Sequence, residues 1–118
     1  GDLFENPRNI SFRNAVVTAM QNSSIDALVY PTWSHPPRRI GDSSSPTGDN
    51  SQHIAPHTGL PAITLPMGYN RDGLPAGISL LGPLYSEVRL VGFAYSYEQA
   101  TKHRRMPVLS PAAVDNAD

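Results

Sequence analysis

The stretch Ala62-Ile63-Thr64-Leu65-Pro66-Met67-Gly68-Tyr69-Asn70-Arg71-Asp72-Gly73-Leu74-Pro75-Ala76-Gly77-Ile78-Ser79-Leu80-Leu81 decides how this chain folds. Residues 62–67 alternate, with Ile63, Leu65 and Met67 expected on one face, the period of a strand half covered by a core. Pro66 has no N–H to give to a ladder, so pairing is expected to break there. Asn70-Arg71-Asp72-Gly73 is turn chemistry: short polar side chains that bond the nearby backbone, followed by a glycine that takes positive φ without strain. Residues 76–81 then return as the second arm of a hairpin.

Downstream of the hairpin, Ser86 is a good N-cap for a helix running to about residue 101. Within it Val88, Leu90, Val91, Phe93, Ala94, Tyr95 and Tyr97 cover an arc of roughly 220°, against the ~100° stripe of a surface helix. Such a helix expects neighbours on two sides. Lys102, His103, Arg104 and Arg105 follow where the helix dipole favours cations, and on a near-neutral chain they read as a solvated helix end.

Upstream, Asn6 and Pro7 read as N-cap and first residue of a helix over residues 7–22, because proline loses no donor in the first turn. Phe12, Ala15, Val16, Ala19 and Met20 fall on one side of it, and Asn22-Ser23-Ser24 closes it. Ala27-Leu28-Val29-Tyr30 is continuous and apolar and ends at Pro31, which predicts a short strand buried on both faces.

Residues 31–59 show neither period. Their prolines and serines predict a long Pro/Ser-rich loop, far beyond the ~12 to 15 residues usual in compact domains. Asp49-Asn50 stands where a short helix at the end of this loop would be capped. Seven of the twelve prolines lie between Pro31 and Pro66.

Composition removes several function classes. The 118 residues contain no cysteine, so there is no disulfide framework and no thiolate chemistry. Nine Lys and Arg against ten Asp and Glu leave a net charge of −1, without the basic surplus that nucleic acid or an anionic membrane would call for. No apolar stretch approaches the roughly 18 to 20 residues of a membrane span, and no charged leader opens the chain. The expectation is a soluble chain, cytoplasmic by default, with no nucleic-acid or membrane partner. Because the first residue is Gly1 rather than Met, a cut or processed chain is expected.

Three short strands and two helices make an incomplete sandwich, since one helix layer covers one sheet face and the strand edges stay open. The chain reads as part of a larger α/β body.

The segments His57-Thr58-Gly59-Leu60-Pro61-Ala62-Ile63-Thr64-Leu65-Pro66-Met67-Gly68, Asp72-Gly73-Leu74-Pro75-Ala76-Gly77-Ile78-Ser79-Leu80-Leu81-Gly82 and Ala94-Tyr95-Ser96-Tyr97-Glu98-Gln99-Ala100-Thr101 resemble the C-terminal end of amidase signature enzymes. Asp26-Ala27-Leu28-Val29-Tyr30-Pro31-Thr32 resembles the strand that precedes it in that family, and order and spacing agree over about residues 8–107. The resemblance implies an α/β fold: a fragment of the α/β/α arrangement, with part of a central mixed sheet and covering helices. It also implies hydrolysis of carboxamides by a serine nucleophile, a second serine on a cis peptide and a lysine base, with no cofactor. In that family those three groups sit well N-terminal to the part seen here, so no catalytic residue is expected in this chain. Ser79 stands where many members have glutamine, and His57-Thr58 where small or amide residues are common.

The residues themselves agree that the chemistry lies elsewhere. A serine needs an adjacent base to lose its proton, and the only lysine, Lys102, sits among cations. Ser43-Ser44-Ser45, between Gly41 and Gly48, lacks the paired glycines that let N–H groups converge on an oxyanion. His53 and His57 are four apart, the spacing of two imidazoles on one helix face, but Pro56 and Gly59 argue against a settled helix and no further ligand stands at metal spacing. No metal is expected. Ser34-His35 and Ser51-Gln52-His53 are too local in sequence to count as dyads. Trp33, Asn50, His53 and Thr58 punctuate the long loop and are the residues expected to face a substrate cleft.

The whole chain, residues 1–118, is therefore expected to be one C-terminal amidase fragment ending in a flexible tail over residues 108–118. Its partners would be the N-terminal remainder, a small amide substrate, and a second copy through an exposed sheet or helix face. An independent binding or assembly domain sharing the subfold is the competing expectation.

Overall fold

In a computed structural model, which describes residues 4–37, 40–42, 44 and 51–106, the hairpin forms as strands β2 (Ala62–Tyr69) and β3 (Pro75–Leu81). Its turn is held by Asn70. The Asn70 Oδ1 accepts from the N–H of Asp72 and of Leu74, each at 2.9 Å, and the Asn70 N–H donates to the Leu74 carbonyl at 2.9 Å. The break at Pro66 is a bulge. Pro66 pairs with Gly77 and Gly68 with Ala76, which leaves Met67 as the extra residue. Met67 is thus outside the simple alternation expected of it, because the proline beside it cannot continue the ladder.

Strand β1 (Leu28–Pro31) pairs antiparallel with β3, giving the order β1-β3-β2 with β3 in the middle. All pairings among the described residues are antiparallel. The expectation that β1 is buried on both faces is corrected. β1 lies at the edge of the sheet among the described residues, and Val29 is 58% exposed.

The α/β character comes from helix α3 (Glu87–Thr101), which lies across β2 and β3. Leu90 and Ala94 meet Leu65 and Leu80 in the buried cluster, with Ala27, Ile63, Ile78 and Tyr97 packed around it. Period-two alternation explains the membership: Ile63 pairs with Leu80 and Leu65 with Ile78, so all four point to the helix side. An Arg89–Asp26 ion pair joins α3 to the approach to β1, but it is exposed and contributes little to stability. Ser86 occupies the N-cap position of α3 without capping. Its hydroxyl donates instead to the Pro83 carbonyl at 2.6 Å, within the turn that closes on the Ser86 N–H.

Helix α1 (Pro7–Asn22) begins as expected, with the Asn6 side chain accepting from the Arg8 N–H at 3.0 Å and Pro7 in the first turn. It ends in a Schellman arrangement. The Ile25 N–H reaches the Met20 carbonyl and the Ser24 N–H the Gln21 carbonyl, with Ser24 at φ 52°. α1 packs on helix α2 (Ile54–Thr58), not on the sheet as an equivalent of α3. The reading of residues 31–59 as loop throughout is corrected at its end: a 3₁₀ turn, Ser51–His53, runs straight into α2. Pro56 is tolerated because it sits in the first turn of α2, and Gly59, at φ 69°, terminates the helix rather than preventing it. Asn50 and the tail over residues 108–118 lie outside the described residues. No helix among the described residues is long and apolar enough to cross a membrane.

The two flanks of α3 differ sharply. Leu90 is 2% exposed, whereas Val88 is 88% exposed. Leu90→Ala should therefore lower unfolding stability by about 2 to 5 kcal/mol, and Val88→Ala should change it by less than about 0.5 kcal/mol. Denaturant titration of the two variants checks this.

Candidate functional site

The sheet face turned away from α3 carries a row of hydroxyls. Tyr30 and Ser79 are register partners, as are Thr64 and Ser79, which puts these side chains on the same face. The Ser79 hydroxyl lies 2.8 Å from the Thr32 hydroxyl and 3.0 Å from that of Thr64. Ser79 is 4% exposed, and its oxygen thus bridges all three strand lines. Gly77 makes the row possible. A Cβ there would lie 2.9 Å from Thr32 Oγ1 and 3.2 Å from Thr64 Cγ2, so a side chain would push the threonines aside. Burial holds the Tyr30 phenol above its ordinary pKa on this same face.

The row fixes where the loop after β1 begins. The Thr32 N–H donates to the Gly77 carbonyl at 2.8 Å while its hydroxyl bonds Ser79, and Trp33 follows at 48% exposure. The far end of the loop returns to the same place. Ser51 Oγ reaches the Pro31 carbonyl at 3.5 Å, so the turn bearing His53 is set beside the end of β1.

Of the residues expected at a cleft, Trp33 and His53 are exposed. His53 and His57 do come together, with ring centroids 5.6 Å apart, because the helix that Pro56 and Gly59 were expected to prevent does form. Among the described residues no group of three or more His, Asp or Glu gathers around a common point. Thr58 is turned inward at 1% exposure. Its hydroxyl donates to the Ile54 carbonyl at 2.6 Å and accepts from the Leu60 N–H at 3.3 Å, which closes α2 and starts the turn toward β2. Asn50 is outside the described residues.

The described serine of the Ser43-Ser44-Ser45 run is not set up as a nucleophile. Ser44 donates its hydroxyl and N–H to Asp42 Oδ1 at 2.6 and 2.9 Å, and the Asp42 carboxyl is held below its ordinary value by those bonds. Lys102 takes a left-handed conformation, φ 47°, and its N–H ends α3 on the Glu98 carbonyl. The basic residues after it are more engaged than a solvated end. Arg105 lies 5.0 Å over the Tyr69 ring and His103 packs 6.2 Å from Tyr97, beside a shallow crevice that also involves Leu65 and Pro66.

Sequence reasoning missed the hydroxyl row. Its signal was there in the alternation, since Thr64, Gly77 and Ser79 are the small or polar partners of the apolar positions in the same two strands. Thr32 was not findable that way, because it lies beyond the end of β1 and is joined to Ser79 across 47 residues.

The family model described as Amidase matches residues 3–91. The chain is 35% identical to a glutamyl-tRNA(Gln) amidotransferase subunit from Clostridium botulinum (strain Eklund 17B / Type B) over 104 residues, which is 82% of this chain and 21% of that protein. Among solved structures it resembles a peptide amidase from Stenotrophomonas maltophilia, with TM-score 0.65 and 33% identity, covering 85% of this chain and 20% of that one. An amidase family protein from Bacillus anthracis str. Ames has the same fold over 86% of this chain and 17% of its own, with TM-score 0.67 and 23% identity. The chain spans about a fifth of the length of the proteins it matches.

Gly59 is the hinge point between α2 and the turn into β2, and a Cβ there would lie 2.8 Å from Phe4 Cε1 in a left-handed backbone. Gly59→Ala should cost about 2 kcal/mol of stability. Thermal and denaturant unfolding of the variant give the value.

Proposed function

The chain belongs to the amidase family, and from that premise we propose that it is the C-terminal part of an amidase, a hydrolase of carbon–nitrogen bonds in carboxamides. It supplies three strands, the helix that covers them and part of the substrate-pocket wall, while the two serines and the lysine that do the chemistry come from chain upstream. The proportion of the match carries this reading: 82% of this chain aligns with only 21% of a relative, so most of an amidase is not in these residues. The local chemistry supports it, because Lys102 stands among cations where α3 ends, with its N–H on the Glu98 carbonyl.

The pocket wall is the segment from Thr32 to the turn Ser51–His53. Trp33 offers an apolar plate to a substrate side chain or backbone, and His53 a hydrogen-bonding edge. Thr58 supports this wall from beneath by closing α2. The exposed flank of α3, with Val88, Val91 and Tyr95, takes the remainder of the domain. Where that remainder is absent, the same flank pairs two copies. A linear carboxamide is the substrate class; the peptide amidase and the amidotransferase protein similar to this chain support that class and no narrower one.

Two measurements test the proposal. The purified 118-residue chain should release no ammonia from simple carboxamides; turnover abolished by changing one of its own serines would overturn the reading. In the complete enzyme, Trp33→Ala should raise KM by about tenfold with kcat nearly unchanged, the pattern of lost binding rather than lost chemistry. An unchanged KM would remove Trp33 from the wall.

A further inference from the structure

We propose that Ser79 is a positioning residue for Trp33, acting through the Thr32 hydroxyl, so that the middle strand of the sheet sets the pose of the pocket wall. The inference rests on the reading of Trp33 as part of that wall. The ladder of β1 ends at Pro31, so Thr32 and Trp33 lie past the last register pair. What holds Thr32 is a clamp on β3: its N–H to the Gly77 carbonyl at 2.8 Å and its hydroxyl to Ser79 Oγ at 2.8 Å. One bond to the backbone and one from the side chain fix both the position and the rotation of Thr32. Its neighbour Trp33, half exposed, inherits that direction.

Three features make Ser79 more than another buried serine. Its hydroxyl has one hydrogen and two partners, Thr32 and Thr64, so it donates to one and accepts from the other and is fully used. It is 4% exposed, so water does not replace a lost partner at no cost. Gly77, two residues earlier on the same face, leaves the space that lets Thr32 approach, since a Cβ there would meet Thr32 Oγ1 at 2.9 Å. A longer side chain at Ser79 would fill the space between the threonines and change where the wall begins.

Trp33 is the only tryptophan of the 118 residues, so its emission reads its own placement without any catalytic assay. Three variants of the chain separate positioning from general stability. Ser79→Ala and Thr32→Val each remove the bond between Ser79 and Thr32; Thr64→Val removes the other half of the row and leaves that bond intact. The expected result is loss of fluorescence anisotropy and increased acrylamide quenching of Trp33 in the first two and wild-type values in Thr64→Val. Unchanged Trp33 signals in Thr32→Val, or equal changes in all three variants, would overturn the proposal. Should Ser79→Ala fail to fold, Thr32→Val carries the test alone.

In the complete enzyme, Ser79→Ala should raise KM about fivefold, the equivalent of one ordinary hydrogen bond, with kcat held. If Trp33→Ala leaves KM unchanged while Thr32→Val still loosens Trp33, the pocket reading fails and the tether stands.

Discussion

Strand β3 is hydrogen-bonded along both edges, and every strand and the covering helix are placed with respect to it. Its two faces carry different chemistry at period two. Ile78 and Leu80 meet the helix, while Gly77 and Ser79 meet hydroxyls from the strands on either side. A one-residue slip would exchange these faces, putting leucine against threonine and serine against Leu90. The bulge at Met67 and the Asn70-centred turn keep the register, because they absorb the proline irregularity before it reaches the core positions.

The same strand explains why this is a piece of a sandwich rather than a small domain of its own. One face is closed by α3, whose buried line is narrow, while Val88, Val91 and Tyr95 remain outside on a helix that is apolar over most of its circumference. α1 adds cover to α2 and not to the sheet. The outer edges of β1 and β2 have no strand partner among the described residues. An apolar surface of this extent, on a chain matching a fifth of its relatives' length, fits a body completed by further polypeptide.

Much of the architecture was legible in residue order. Proline at the first turn of α1, the Asn70 turn and the wide apolar arc of α3 are local or periodic signals, and each is expressed where physics places it. The end of the long loop was misread because Pro56 and Gly59 are breakers only in a helix interior. Within a five-residue helix they occupy its first turn and its end. The burial of β1 was overestimated because an apolar run does not say whether a strand is central or at an edge. In the candidate site, Trp33 and His53 were found as unusual residues in a loop, whereas the inward turn of Thr58 follows from two backbone partners that no pattern announces.

By itself the sequence determined the strands, the helices, their apolar sides, the family, and the absence of thiol chemistry, because those depend on composition and on spacings of two and of three to four residues. Only the tertiary structure decided that Ser79 joins Thr32 to Thr64, that Gly77 must be bare for that to happen, and that Ser51 brings the loop back to Pro31. The physical reason is distance along the chain. A hydrogen bond between residues 47 positions apart exists only when sheet order and register are both set, and neither is encoded in any one segment.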